Sequence, residues 1–335
     1  MPRSTLELLL GGDAAYYEGL RAAVCTVILF LDERAACRIN ILDCGLTPSQ
    51  RAHLHSEIER IGLKRPSMVS LHWVDVDLSQ FQALPKFGGD SLAAYARVLA
   101  PDLLKCSEVI WIDADILVLQ DISTVFKHVE TSSLVAGVVD TVVQKIQNDP
   151  VSANEDVRDD RYINTGFLWM NLDALRKENF SARAIDLMNA SRDCLIYADQ
   201  GPINALTHDR RSILPPSFNQ LIHENSSFNT LFESIGSGNL HFAGRVKPWL
   251  NVQRSDLLAQ RMVFYRVLNA LNLKPFETLS EFLCERPSHS AMCLLALRSL
   301  LLRNRRKFNR ARVTREAIKK EAELYERVDQ LFACD

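Results

Sequence analysis

The chain has 335 residues, a formal net charge of -2, 47% hydrophobic residues and 24% charged ones. This is ordinary globular composition, so a disordered, collagen-like or fibrous chain is excluded, and the length suits one large α/β domain or one domain with an appendage. A charge so close to zero excludes a wholesale nucleic-acid binder, and no nucleic-acid partner is expected.

Over the first two thirds, short apolar runs alternate with helical patterns. Leu6–Leu10 reads as a strand that stops at Gly11-Gly12-Asp13, and Tyr16–Leu31 carries apolar residues at helical spacing. Ile39–Leu42 is a second strand. Thr47-Pro48 starts a helix to about Ile61, as an N-cap followed by an N1 proline. Val69–Val76 alternates as a half-exposed strand does. Ser91–Leu104 is helical, with Tyr95, Val98 and Leu99 on one side. Val109–Ile112 and Leu134–Val139 are short buried strands, Gly166–Met170 is another, and a helix follows from about Leu172. Such alternation predicts an α/β sheet with helices on both faces.

After about Asn251 the pattern is helical only, which places a boundary near 252 between a catalytic part, 1–252, and an extension, 253–335. Residues 298–320 hold seven Arg and three Lys against one acid, Glu316, a net of +9 that leaves -11 for the rest. Met292–Leu302 before it is Leu-rich. Two readings stand for this tail: attachment to an anionic membrane surface, or a solvated helical pair capping the catalytic part. No signal peptide opens the chain, and no run reaches the roughly 18 apolar residues of a spanning helix. A cytoplasmic protein, peripheral on the cytoplasmic face of a membrane if the tail attaches, is the expectation. The eight cysteines form no C-x-x-C pair and read as small buried hydrophobes, with a zinc site or disulfides as the alternative.

Ile112-Asp113-Ala114-Asp115 is the most informative point. Two carboxylates one residue apart follow a buried strand, and extended backbone sends both to one face. Ionising both together is costly, and a divalent cation removes that cost. Oxygen ligands at a strand end suit Mg²⁺ or Mn²⁺, which usually arrive with a diphosphate. Asp75 and Asp77, at the end of a half-exposed strand, read as loop acids.

Three further points stand out. Asn164 and Gly166 precede an apolar strand; Asp199-Gln200 opens a helix; His241 leads Gly244, Lys247, Pro248 and Trp249. His241 suits a third metal ligand, and Lys247 a point charge for phosphate. Each taken alone also has an ordinary reading: turn acids, a turn into a strand, an N-cap, a hydrogen-bonded histidine.

In their order along Leu8–Asn251, these stretches resemble glycosyltransferase family 8. Its members are retaining enzymes that include bacterial lipopolysaccharide galactosyl- and glucosyltransferases and the glycogenins. The resemblance implies an α/β nucleotide-diphospho-sugar transferase (GT-A) fold, a Rossmann-like mixed sheet with helices on both faces, followed here by a helical C-terminal segment. It implies a UDP-sugar donor, UDP-galactose or UDP-glucose, a glycan or glycolipid acceptor, and Mn²⁺, with Mg²⁺ as the alternative, on Asp113, Asp115 and His241. Asp13 and Tyr16 match positions that hold the uracil, Tyr16 by stacking. Gly11 and Gly12 match close approach of the nucleotide to the backbone, with Ala114 inside the D-x-D. Arg97 is similar to an Arg that reaches donor sugar and phosphate, and Gly244 and Lys247 to diphosphate contacts. Asn164, Asp199, Gln200 and Asp140 resemble the surroundings of the transferred sugar. Trp249 is expected to pack beneath its loop.

The chain departs from the family pattern at Gly201, where an acid is common (Asp-Gln-Asp), and at Ala15, where a polar residue is. Retention allows front-face attack by the acceptor, the favoured route, or a covalent intermediate on Gln200 or Asp199. Two other readings remain at this point: a self-glucosylating primer like the glycogenins, and a catalytically silent UDP-sugar-binding scaffold.

Overall fold

The computed structural model describes residues 5–62, 69–87, 91–141, 143, 149–153, 159–223, 226–244, 246–249, 258–274 and 305–333. By compactness the chain forms two units, Met1–Asn219 and Gln220–Asp335. The boundary expected near 252 lies outside the described residues.

In chain order the first unit contains β1 (Leu6–Gly12), α1 (Tyr17–Phe30), β2 (Cys37–Asp43), α2 (Pro48–Gly62), β3 (Val69–Asp75), α3 (Ala100–Leu103), β4 (Glu108–Ile112) and β5 (Ile116–Leu117). It continues with β6 (Val135–Val139), α4 (Pro150–Ala153), β7 (Ile163–Asn171), α5 (Leu172–Lys177), α6 (Phe180–Ala190), α7 (Gln200–Thr207) and β8 (Arg211–Ile213). Seven strands make one sheet in the order β3-β2-β1-β4-β7-β6-β8. β1 is an interior strand, and Leu8, Leu9 and Leu10 are fully buried, as a parallel strand covered on both faces requires. Burying each such side chain contributes about 1.5–3 kcal/mol. β3 lies at the edge and alternates between partly buried and exposed residues, as its sequence does.

β7 runs antiparallel to β4 and β6, whereas the other pairings in this sheet are parallel. Its first residues therefore lie at the edge where β1, β4 and β6 end. The register pairs Val139 with Ile163, Val138 with Asn164 and Ile112 with Phe167. Asp13, Asp113, Asp140 and Asn164 thus reach one edge of the sheet from four strands.

Three differences between sequence and structure lie within the strands and helices. β7 begins at Ile163, so Asn164 and Gly166 lie inside a buried strand rather than before one. The polar start is tolerated because its partners are built in: Asn204 Oδ1 accepts from the Ile163 N–H at 2.8 Å, and Asn204 Nδ2 donates to the Ile163 carbonyl at 2.8 Å. The β6–β7 register also shifts at Gly137/Val138. A Cβ on Gly137 would come within 2.9 Å of Ile163 Cδ1 and Leu168 Cδ2, so only glycine allows the strands to close there. Second, the stretch 91–104 is a 3₁₀ run, Ala93–Leu99, passing into α3. Pro101 has no N–H for a continuous α-helical ladder and fits only the first turn of a new helix. Third, the helix from Leu172 breaks into α5 and α6 at Asn179, which has φ of 50°. The helix start at Thr47-Pro48 forms as expected: Thr47 Oγ1 accepts from the Gln50 N–H, and Gln50 Oε1 accepts from the Thr47 N–H, a capping box.

The second unit holds the parallel pair β9 (Gln220–Leu221) and β10 (Leu240–His241), then α8 (Phe228–Ser234) and α9 (Leu258–Ala270). Two more helices, Arg305–Lys319 and Glu321–Gln330, pack against α9. They bury Val313, Ala317, Leu324 and Val328. Arg266 Nε donates to Asp329 Oδ1 at 2.6 Å, and the Arg327 guanidinium lies 4.8 Å over the Phe232 ring. Met292–Leu302 and residues 298–304 of the basic segment lie outside the described residues. Among the described residues no helix is long and apolar enough to cross a membrane.

Cys25, Cys37, Cys44, Cys106 and Cys194 are free thiols, and no cysteine joins a group of three candidate metal ligands among the described residues. Burial pushes the Cys25, Cys37 and Cys44 thiols up to about 12, which makes them inert hydrophobes.

Candidate active site

The site in the first unit is built outward from strand ends. β1 ends in Gly11-Gly12. A Cβ on Gly11 would stand 3.1 Å from Trp111 Cη2 and 3.3 Å from Leu42 Cβ, so this glycine lets neighbouring strands pack. At Gly12 a Cβ would make only ordinary contact with Leu20. Asp13 follows, and its Oδ1 accepts from the backbone N–H groups of Ala15 (3.0 Å) and Tyr16 (3.2 Å). That cap forms the single 3₁₀ turn Ala14–Tyr16 and fixes where Tyr16 leaves the backbone. The Tyr16 phenol is pushed far up, first by burial and then by the charges of Asp115, Asp13 and Asp113. Three carboxylates therefore act on one phenol.

Asp113-Ala114-Asp115 does not continue the strand. The backbone turns, with the Ile116 N–H donating to the Asp113 carbonyl at 3.2 Å, so the two carboxylates are aimed by a turn and not by extended alternation. The Asp113 N–H donates to the Gly166 carbonyl at 2.7 Å, which ties the turn to β7. Asp113 is partly exposed, while Ala114 and Asp115 are buried.

Arg97 joins this acidic turn to the rest. It is buried, and its Nη1 donates to Asp113 Oδ1 at 2.9 Å and to the Thr165 carbonyl. Its Nε donates to Asp199 Oδ2 at 2.6 Å. The indole of Trp111 lies under it at 5.0 Å and donates its own N–H to Asp113 Oδ1 at 2.7 Å. Burial works against the guanidinium charge, but Asp113 and Asp199 together outweigh it, and its pKa rises.

Asp199 stands at the N-cap position of α7, yet its side chain makes no capping bond. It serves Arg97 instead, and its Oδ1 is buried with no hydrogen-bond partner among the described residues. Burial pushes the carboxyl up to about 6, and the opposing pull of Arg97, shared with Asp113, does not cancel it. Ala198 just before it has φ of 52°, left-handed backbone at a residue with a Cβ.

Gln200, Asn164 and Asp140 form one buried network. Gln200 Oε1 accepts from the Thr165 N–H (3.2 Å) and Asn164 Nδ2 (3.1 Å). Gln200 Nε2 donates to Asp140 Oδ2 (3.0 Å) and the Tyr162 hydroxyl (3.3 Å). Asn164 Nδ2 also donates to Asp140 Oδ2 (3.0 Å), while Asn164 Oδ1 accepts from Asn219 Nδ2 (2.8 Å). Asp140 Oδ1 accepts from the Val143 N–H at 3.0 Å.

In the second unit, His241 is buried at the end of β10, and its carbonyl accepts from the Ile222 and Ala243 N–H groups, each at 2.8 Å. Gly244 has φ of 108°, which suits glycine, and lets the chain turn back so that the buried Lys247 donates to the Phe242 carbonyl at 3.0 Å. Trp249 is buried against Phe264, ring centroids 5.2 Å apart.

The structure thus gathers Asp13, Tyr16, Arg97, Asp113 and Asp115 around one acidic turn, and Asp140, Asn164, Asp199 and Gln200 beside it. Trp111, Tyr162, Asp149 and Asn219 also belong to these networks and were missed in sequence. Trp111 had a signal, since a strand residue two before Asp113 shares its face. Asp149 and Asn219 come from connections, where no pattern marks them.

A family model described as Glycosyl transferase family 8 matches residues 7–253. The chain belongs to glycosyltransferase family 8 and is a glycosyltransferase. General stress protein A of Bacillus subtilis is 24% identical over 252 residues, which cover 71% of this chain and 85% of that protein. Lipopolysaccharide 1,2-glucosyltransferase of Escherichia coli K12 is 23% identical over 254 residues, 73% of this chain and 72% of that one. Among solved structures, galactosyltransferase LgtC with donor and acceptor sugar analogs superposes with a TM-score of 0.66 at 20% identity, covering 81% of this chain and 98% of that one. Glycosyltransferase GlyE of Streptococcus pneumoniae gives 0.53 at 18% identity, over 79% and 63%. The fold is the GT-A fold expected from the sequence.

The raised Asp199 carboxyl sets a pH dependence. An unfolded Asp titrates near 4, so between about pH 4 and 6 the folded chain holds a proton that the unfolded chain has released. Stability from this group is complete below pH 4 and is lost as pH rises through about 6, a change on the order of 3 kcal/mol. In urea unfolding of metal-free protein, the stability of wild type relative to Asp199→Asn should fall across that window. Parallel curves would contradict it.

Proposed function

We propose that this glycosyltransferase moves a hexose, galactose or glucose, from a UDP-sugar to a hydroxyl of a glycan or glycolipid acceptor, with retained anomeric configuration and with a divalent metal ion. The observation that carries this reading is the convergence of Asp13, Asp113 and Asp115 on Tyr16. Three carboxylates near one half-buried phenol favour a cation there, and hard oxygen donors fit Mn²⁺ or, in its stead, Mg²⁺. Asp113 and Asp115 are the proposed ligands, joined by His241 on the order of motifs in the sequence. When bound, the ion supplies positive charge to the departing diphosphate. The lipopolysaccharide 1,2-glucosyltransferase and the galactosyltransferase among the similar proteins support a hexose donor and a lipid-linked glycan acceptor.

The chain's own residues take the following parts. Tyr16, aimed by the Asp13 cap, stacks on the uracil. Lys247 and the backbone at Gly244 meet the diphosphate. Arg97 holds Asp113 and Asp199 in place from beneath and supports the donor pocket, while Asp140 and Asn164 line the transferred sugar. Gln200 Oε1 already accepts two hydrogen bonds, and Asp199 Oδ2 is bound to Arg97. The Gln200 amide is thus not poised as a nucleophile, and Asp199 keeps only its buried Oδ1 unengaged, which favours front-face attack. The acceptor oxygen then bonds to the anomeric carbon on the face where the bond to phosphate breaks, and UDP leaves carrying the acceptor proton. The test follows UDP release from UDP-galactose and UDP-glucose with Mn²⁺ or with chelator, and the anomeric linkage of the product. Release only with metal, lost in Asp115→Ala, with an α-linked product from an α-donor, is expected. Release that survives both chelation and Asp115→Ala, or an inverted linkage, would overturn the reading.

Residues 1–252 are proposed as the catalytic part, and 253–335 as an extension through which the chain sits peripherally on the cytoplasmic face of a membrane. Arg312 and Lys319, exposed on the helix Arg305–Lys319, support attachment to an anionic surface. Each basic residue near such a surface contributes about 1 kcal/mol. Arg312→Glu with Lys319→Glu should weaken sedimentation with phosphatidylglycerol vesicles by about tenfold or more. Equal pelleting of both proteins would sink the membrane assignment.

A further inference from the structure

Asp149 is a buried carboxylate outside the sequence motifs, and it is fully engaged. Its Oδ1 accepts from the Val151 N–H at 3.2 Å. Its Oδ2 accepts from the Tyr162 hydroxyl at 2.7 Å and from Ser152 Oγ at 2.9 Å. The same carboxylate lies against Gly201: a Cβ there would stand 2.7 Å from Asp149 Oδ2 and 2.8 Å from Oδ1. Any side chain at 201 would displace it. This is the position where the resembling pattern Asp-Gln-Asp carries its second acid and this chain has glycine.

We propose that Asp149 is a positioning residue for the sugar pocket, its carboxylate filling the space of an acid at position 201 and fixing the Gln200 amide through Tyr162. The fixing follows from donors and acceptors. An ionised carboxylate only accepts, so the Tyr162 O–H points at Asp149. The Tyr162 oxygen is then left to accept, and it takes Gln200 Nε2. Gln200 Oε1 must turn to the Thr165 N–H and Asn164 Nδ2. Replacing Asp149 by Asn puts an N–H₂ opposite Tyr162, reverses its hydroxyl, and asks Gln200 to present Oε1 where it now presents Nε2. The Gln200 nitrogen would then face the Thr165 N–H, donor against donor. Ser152 Oγ, 2.9 Å from both Asp149 Oδ2 and the Gly201 carbonyl, holds α4 and α7 at this spacing.

The inference rests on the reading of Gln200 as part of the donor-sugar pocket. The experiment compares kcat, donor KM and urea stability for wild type, Asp149→Asn, Asp149→Ala, Gly201→Asp, and the swap Asp149→Ala with Gly201→Asp. In the first turn of α7 an acid suits the helix dipole, so the swap should fold. Each single change should lower kcat about ten- to hundredfold, with donor KM within about twofold, and the swap should recover to within about threefold of wild type. A swap no better than the worse single variant, with all proteins folded, would overturn the proposal, as would Asp149→Asn at wild-type kcat. If wild type turns over no UDP-hexose, the functional reading fails separately, and stability alone then decides the shared space. Gly201→Asp must then be destabilised beside Asp149 and relieved in the swap; additive effects would refute it.

Discussion

A buried guanidinium cannot give up its charge, so the fold around it must supply the counter-charge. Arg97 meets that demand with Asp113 and Asp199, one on each side, and with a Thr165 carbonyl. Most of the site's shape follows. Asp113 is drawn toward β7, the D-x-D bends into a turn, and Asp199 is pulled off its helix cap. One positive charge cannot satisfy two carboxylates fully, and Asp115 and Asp13 add to the deficit at Tyr16.

The antiparallel β7 is what brings the two halves of the site together. Three strand ends deliver the acids, and the start of β7 delivers Asn164, Thr165 and Gly166 to the same edge. Asn204 bonds the backbone of Ile163, and Gly137 lets β6 close on it, so polar residues survive inside a strand that is otherwise apolar. Behind it, Asp140, Asn164, Gln200, Tyr162 and Asp149 form a chain in which each donor has an acceptor. Such a network fixes a single arrangement when complete and is costly when broken.

Elements with a strong period were legible in the sequence: β1, β2, β4, β6, the alternating edge strand β3, and the capped helix α2. Asp113 stood out in the sequence because an apolar strand points at it, whereas Asp13 was reached only through the family pattern. Breaks in helices were not, because Pro101 and the left-handed Asn179 act on a single bond or dihedral that a periodic pattern averages over. Partnerships were also hidden. Nothing local marks Arg97 as the counter-charge of Asp199, 102 residues away, or Asp149 as the group packed against Gly201. Those links exist only once β7 has been placed between β4 and β6.

The shared-charge arrangement at Arg97 is tested most directly by a stability cycle on metal-free protein. Arg97→Met leaves two acids without their counter-charge and should cost about 3–5 kcal/mol in urea unfolding. Adding Asp113→Asn and Asp199→Asn to Arg97→Met should return most of that loss, since no buried charge is then left alone. If the triple variant is as unstable as Arg97→Met, or less stable, Arg97 is not the counter-charge that organises this edge.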